Sequence, residues 1–334
     1  MSKNAEASPG TQPVSRTAPA AFVLAAGLGT RLRPMTDKLP KPLVPIFHKP
    51  LLTFALDSLI AAGAGTLALN THHLPETFAE VFGSELCYRD RQLRIFHEPL
   101  LLDTGGGIRN ARSALGEKTF FLYNGDILAD LPLADLLTVH RASGAMATLL
   151  LRESGGEANV LFDAASGRVL DVRRELGATQ GKLSVYSGIA VLEPAIFDWI
   201  PESGPYSIIT SLIAALRGGE KIGGLMASDG LWIDIGNPIA YREAHRLLAH
   251  PEQRPGYLED AAWPRLIHSE AHIDDSSLLE GIVAAGPGSI VGAGALIRDS
   301  ILWPGSVIEA GARLEECIVT GEHPVSGSHR GVIL

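Results

Sequence analysis

From residue 21 onward, short β-rich apolar runs alternate with longer runs whose apolar residues recur every three to four positions, the rhythm of strand followed by amphipathic helix. Residues 22–25 read as a buried strand. Residues 51–62 read as a helix with Leu51, Leu52, Ala55, Leu56, Leu59 and Ile60 on one face, opened by Pro50 and stopped by Gly63. Further strands are expected at 66–70, 93–97, 119–123 and 145–151, and helices near 75–82, 107–115 and 133–141. Residues 159–192 hold short strand-like runs; a helix at 208–217, a strand pair within 221–234 and a closing helix at 238–248 follow. Strands separated by helices predict an α/β fold with a doubly wound, mostly parallel sheet spanning residues 21–248.

The pattern changes after a linker at 249–270 that carries Pro251, Pro255, Gly256 and Pro264. Leu278, Ala284, Ile290, Leu296, Leu302, Ile308 and Leu314 recur every six residues, with Gly286, Gly288, Gly292, Gly294, Gly305 and Gly311 in the turns between them. A six-residue apolar period with small turn residues predicts a parallel β-helix over 271–321, at roughly 18 residues per three-sided coil and so two to three coils. Residues 322–334 are expected as a C-terminal tail. An open β-helix end leaves unpaired strand edges, which predicts a homo-oligomer.

The chain has 334 residues, 46% of them hydrophobic, which supplies a substantial core and sets disorder aside for most of its length. With 28 Lys+Arg against 37 Asp+Glu the net charge is -9, and no basic run forms a nucleic-acid groove. No apolar stretch is long enough to span a membrane. Cys87 and Cys317 make no disulfide framework, which fits a reducing cytoplasm. Residues 18–26 follow Lys3 and Arg16 and have the look of a short signal-peptide core. Pro9, Pro13 and Pro19 instead favour a disordered tail over 1–20 that leads into a buried strand.

The chemistry is concentrated in Leu24-Ala25-Ala26-Gly27-Leu28-Gly29-Thr30-Arg31-Leu32-Arg33-Pro34, followed by Lys41-Pro42, at the end of the first strand. Glycines there let backbone N–H groups approach phosphate oxygens. Leu32 stands where a dinucleotide-binding turn needs its third glycine, and Thr30-Arg31 follow Gly29 where a P-loop needs Gly-Lys-Ser/Thr. A phosphate-cradling loop that brings Arg31 and Lys41 remains, and two cations beside a polyphosphate suit transfer at phosphorus. Asp126, at the end of the strand expected at 119–123, and Asp234, in Trp232-Ile233-Asp234-Ile235-Gly236, are candidate carboxylates for a cation.

The stretch Leu24-Ala25-Ala26-Gly27-x-Gly29-Thr30-Arg31-x-x-Pro34-x-Thr36 with Lys41-Pro42 resembles the sugar-1-phosphate nucleotidyltransferase family over about residues 21–248, some members of which also carry a left-handed β-helix. The resemblance implies a Mg2+-dependent reaction in which an NTP and a sugar 1-phosphate give an NDP-sugar and pyrophosphate. It places Arg31 and Lys41 on the phosphates and assigns Asp126 and Asp234 to the metal. It places the nucleotide on Leu24, Ala25, Ala26, Gly27, Gly29 and Thr30, and the base and ribose near Glu98, Thr104 and Gly105, with Glu98 as an acceptor for a base such as guanine. Gly188 resembles the glycine that lies against the sugar. Many members have Glu-Lys-Pro where this chain reads Asp171-Val172-Arg173-Arg174-Glu175, so Arg173 or Arg174 becomes the candidate for the sugar phosphate.

Asn70-Thr71-His72-His73 resembles the mannose and N-acetylmuramate branches; adjacent histidines on a strand end face opposite ways and are not expected to share an ion. Trp232, Trp263 and Trp303 read as core or interface. The expectation is therefore a mannose-1-phosphate guanylyltransferase, with N-acetylmuramate-1-phosphate uridylyltransferase as its rival. A non-catalytic nucleotide-sugar-binding subunit and a non-sugar cytidylyltransferase are the alternatives of other kinds.

Overall fold

The structure, a computed structural model, describes residues 18–321 and 323–334. Most of the expected N-terminal tail lies outside the described residues, and its last position, Ala20, already opens the first strand, Ala20–Leu24.

Ten strands form one sheet in the order Ala158–Asp163, Arg168–Val172, Ile222–Ala227, Ala147–Arg152, Lys182–Leu192, Phe120–Asn124, Ala20–Leu24, Thr66–Thr71, Arg91–His97 and Cys87–Tyr88. Ala20–Leu24 lies parallel between Phe120–Asn124 and Thr66–Thr71, so its C-terminal end opens at the middle of the sheet. The sheet is packed on both faces. Ala20 and Phe22 join a core with Ile108, Ile208 and Leu212, whereas Ala21 and Val23 join another with Leu52, Leu56, Leu59 and Leu136. Burial on both faces explains why the first strand reads as an unbroken apolar run.

The helix Leu51–Ala61 buries more than one face: Leu52, Ala55, Leu56 and Leu59 meet the sheet, while Leu51 and Phe54 meet a separate cluster that includes Tyr241, Trp263 and Trp303. The strands expected as a pair within 221–234 do not pair with each other. Ile222–Ala227 joins the large sheet parallel to Ala147–Arg152, and Leu231–Asp234 instead pairs antiparallel with Ile127–Asp130.

Beyond residue 265 short strands stack in three parallel ladders. His272 pairs with Ile290 and Ile290 with Val307, so each partner lies 17 or 18 residues on. The apolar period is phased differently from the sequence reading. Ala285, Val291 and Ile297 point into the stack, while Leu278 and Ile290 are exposed. The inward series then continues through Leu302, Ile308 and Leu314, because only five residues separate Ile297 from Leu302. One shortened turn thus brings the six-residue series into phase in its second half.

Two boundaries also move. Ile267 already bridges to Ala285, inside the expected linker. The expected C-terminal tail is part of the stack: Ser328–Arg330 pairs with Arg313–Glu315, Val325 bridges to Ile308, and Ile333 bridges to Ile318. The outer side of the third ladder, at Ala284, Ile301 and Ile318, packs with Trp303 against Phe54, Tyr241 and Leu248 of the α/β unit.

Candidate active site

The site forms where three chain segments end at one edge of the fold. The first strand runs into the glycine-rich turn, Phe120–Asn124 runs into Gly125 and Asp126, and Leu231–Asp234 arrives beside them. Gly125 N–H donates to Leu24 O at 2.9 Å, and a Cβ at Gly125 would stand only 2.6 Å from that oxygen. Ile127 is the ladder partner of Asp234, and Ile235 N–H donates to Asp126 O at 3.0 Å. The two carboxylates are therefore neighbours although more than a hundred residues part them.

Lys41 reaches the same place from a 3₁₀ turn, Lys41–Leu43; it is buried, and its Nζ lies 2.7 Å from Asp126 Oδ2. Gly29 makes that approach possible. Its φ is +63°, and a Cβ there would meet both Lys41 Cβ and Thr36 Cγ2 at 3.0 Å. Arg31 is exposed, and a Cβ at Gly236 would sit 3.3 Å from both Arg31 Nη1 and Asp234 Oδ1, so guanidinium and carboxylate share the space beside Gly236. Burial and the Asp126 charge raise the Asp234 pKa above the ordinary carboxylate value, against the pull of Lys41 and Arg31. Asp234 Oδ1 is enclosed with no hydrogen-bond partner among the described residues.

Two clefts meet at Asn124 and Asp126. The larger, about 450 Å³, is lined by Leu24, Ala26, Gly27, Lys41, Leu101 and Thr104 among others. Ala25 is buried behind it, its N–H donated to Asn70 Oδ1 at 2.7 Å, and Gly29 and Thr30 form the turn beyond. The smaller, about 270 Å³, has Gly188, Arg173, Glu157, Tyr186, Trp232 and Asp234 in its wall. Gly188 has φ +81°, and a Cβ would meet Asn124 Nδ2 at 2.8 Å, so this strand bends at the cleft only with glycine.

Arg173 lines the smaller cleft on a turn held by buried Asp171, whose carboxylate accepts from Leu176 and Ala178 N–H. Arg174, next along the same left-handed turn, is exposed and outside that wall. Trp232, expected as core or interface, is partly buried against a core cluster and also lines the smaller cleft, its Nε1–H donating to Ser187 O at 2.8 Å. Trp263 and Trp303 are buried as expected.

The base-reading candidates are the main correction. Glu98 is fully buried, with Oε1 accepting from Asn70 Nδ2 at 2.7 Å and Oε2 from Leu102 N–H at 2.9 Å, so it orders the cleft wall and does not face a base. Gly105 is buried as well; its N–H donates to Tyr206 O at 2.7 Å. The reason is that residues 103–106, ahead of the helix expected near 107–115, already belong to the helix Asp103–Asn110, packed so closely that a Cβ at Gly105 would stand 2.8 Å from Tyr206 O. Thr104 does line the larger cleft, with its Oγ1 accepting from Ile208 N–H. Beside it stands Asp103, an exposed carboxylate that the sequence reading passed over; its signal was an acidic residue at a helix start. His72 and His73 bond different carbonyls, of Glu98 and Thr36.

A family model described as nucleotidyl transferase matches residues 20–250. The chain belongs to this family. Among curated members, this nucleotidyltransferase is 30% identical to the mannose-1-phosphate guanylyltransferase of Mycobacterium tuberculosis, over 85% of this chain and 79% of that one. It is 29% identical to the UTP–glucose-1-phosphate uridylyltransferase of Synechocystis, over 91% of this chain and 88% of that one. Its fold is similar to a UDP-glucose pyrophosphorylase solved with UDP-glucose, with TM-score 0.57 and 18% identity over 68% of this chain and 97% of that one. The chain is thus a sugar-1-phosphate nucleotidyltransferase, an enzyme acting on a nucleotide and a sugar phosphate. Among the described residues no helix is long and apolar enough to cross a membrane.

Proposed function

We propose that this enzyme joins GTP and mannose 1-phosphate to give GDP-mannose and pyrophosphate. The observation that carries the reading is the meeting of the two clefts at Asn124 and Asp126, with Lys41, Arg31 and Asp234 gathered there. The choice of mannose and guanine is supported by the mannose-1-phosphate guanylyltransferases among the relatives. Asp103 is a carboxylate in the larger cleft that can accept from the ring N–H and amine of guanine.

In this reading the nucleotide lies in the larger cleft along Leu24, Ala26 and Gly27, and the sugar phosphate in the smaller one against Gly188 and Arg173. A sugar-phosphate oxygen attacks the α-phosphorus, the bond to the β-phosphate oxygen breaks, and pyrophosphate leaves with the electron pair. The ammonium of Lys41 and the guanidinium of Arg31 meet the charge that develops on the phosphate oxygens. Asp126 and Asp234, two carboxylates of which one has an enclosed oxygen unpartnered among the described residues, would hold Mg2+ together with phosphate oxygens and water. When bound, the ion would supply charge neutralisation at the phosphates. The three C-terminal ladders are read as a short left-handed β-helix that joins copies of the chain in a cytoplasmic enzyme. A monomeric mass by light scattering overturns that assembly.

The test is Mg2+-dependent pyrophosphate release with GTP, UTP, dTTP, CTP and ATP crossed with mannose-, glucose-, N-acetylmuramate- and heptose-1-phosphates. Turnover greatest with GTP and mannose 1-phosphate supports the proposal. Preference for UTP with glucose 1-phosphate replaces it, and a folded protein that binds nucleotide sugars but is silent throughout is the regulatory alternative.

A further inference from the structure

The helix Pro238–Leu248 begins just beyond Asp234 and touches the segment that carries Lys41 at two points. Tyr241 Oη–H donates to Pro45 O, and one turn later His245 Nε2 accepts from Phe47 N–H at 3.3 Å. His245 Nδ1–H donates in turn to Tyr241 O at 3.0 Å, which uses both ring nitrogens in one neutral tautomer. A third group comes from the C-terminal stack: Trp303 Nε1–H donates to Tyr241 Oη at 2.9 Å. Tyr241, His245 and Trp303 are all buried.

The direction of this chain is fixed by chemistry. An indole N–H can only donate and a backbone carbonyl can only accept, so the one proton of the Tyr241 hydroxyl must go to Pro45. Between Pro45 and Lys41 the chain is a single tight turn, closed by Leu43 N–H to Pro40 O at 2.8 Å and Val44 N–H to Lys41 O at 3.2 Å. A turn so short and so bonded has little slack to absorb a shift at Pro45.

We propose that Trp303 and Tyr241 are positioning residues for Lys41, so that the C-terminal stack sets the place of the ammonium where the two clefts meet. The proposal rests on the reading of Lys41 as a phosphate-binding group. The stack is on this view a working part of the catalytic unit. Removing the indole N–H takes away one of the two partners that hold the Tyr241 hydroxyl, loosens its grip on Pro45 and lets Lys41 leave Asp126.

The experiment compares wild type, Trp303→Phe and Tyr241→Phe in the full chain. Two readouts are used: kcat and KM for the best substrate pair, and the rate at which acetic anhydride labels Lys41, read by mass spectrometry. Lys221, whose Nζ donates to Ser143 O at 2.7 Å on a remote part of the sheet, is the internal control. Losing one buried hydrogen bond that acts through position should lower kcat about tenfold with both KM values held, and speed labelling of Lys41 several-fold with Lys221 unchanged. On a Lys41→Ala background, Trp303→Phe should change the residual kcat less than about twofold. Unchanged Lys41 labelling in folded Trp303→Phe overturns the proposal, as does labelling of Lys41 and Lys221 that rises in step. A Lys41→Ala protein with normal turnover instead removes the reading of Lys41, while the labelling rates still decide whether Trp303 positions it.

Discussion

Lys41 holds its Nζ 2.7 Å from Oδ2 of Asp126, a contact between a buried ammonium and a carboxylate at the meeting point of the two clefts. In the proposed reaction an ammonium placed there would face the charge that grows as the α-phosphate is attacked. Lys41→Met should therefore lower kcat by about 10²–10³-fold, the scale of losing one preorganised charge stabiliser. Single-turnover pyrophosphate release measures it, and near-normal turnover rejects the role.

Asp234 gives a stability prediction opposite in sign to its effect on activity. Its folded pKa is raised above the ordinary value of 3.8, so between that pH and the raised value the folded state binds more protons than the unfolded state. Stability then falls as pH rises through this window, and above it the ionised carboxylate burdens the metal-free fold. Asp234→Asn should raise the metal-free Tm at pH 7 while abolishing turnover. Added Mg2+ should raise the Tm of wild type and leave that of the variant in place; equal Mg2+ responses would separate Asp234 from the metal.

Glu98 and Asp103 should divide structure from specificity. Glu98→Ala strands Asn70 Nδ2 and Leu102 N–H beside a buried space, which should destabilise the fold by about 1–3 kcal/mol without a switch of base preference. Asp103→Asn keeps an Oδ1 for the Thr104 N–H and tolerates the φ of +59°, so it should leave Tm nearly unchanged and narrow the preference for GTP over UTP. Urea unfolding and kcat/KM with the two nucleotides decide between these roles, and a base switch in a folded Glu98 variant would reverse the assignment.

His245 predicts an acid limit. Burial lowers its pKa from 6.5 to about 4, so its neutral form is favoured in the fold and the unfolded chain binds the extra proton between those values. The stability it contributes is whole above pH 6.5 and is lost as pH falls toward 4, up to about 3 kcal/mol. His245→Gln should flatten the dependence of Tm on pH over that window. An unchanged slope would place the acid sensitivity elsewhere.

Gly29→Ala adds a Cβ at φ +63° with two neighbours at 3.0 Å, one of them Lys41 Cβ. The strain is of order 1–2 kcal/mol, and the push falls on Lys41. kcat should drop with the fold retained by circular dichroism. A fully active variant would show that the turn adjusts without moving Lys41.

The sequence by itself determined the strand and helix rhythm of the α/β unit, because apolar period is local and each element must bury its own face. It also singled out the glycine-rich turn with Arg31 and Lys41, and Asp126 and Asp234 at strand ends, as candidates, since these residue types suit phosphate chemistry. Tertiary structure alone decided what long-range contact controls. Glu98 looked like an exposed acceptor until Asn70 and Leu102 took both its oxygens. Arg173 and Arg174 were equivalent until one turn sent only Arg173 into the cleft. The repeat looked uniformly six-fold until a five-residue turn after Ile297 shifted its phase, and residues 323–334 looked like a tail until Arg313–Glu315 supplied a ladder partner. Trp303 gave no sign of reaching Tyr241, because sixty-two positions of chain separate two hydrogen-bonding groups that only packing brings to 2.9 Å.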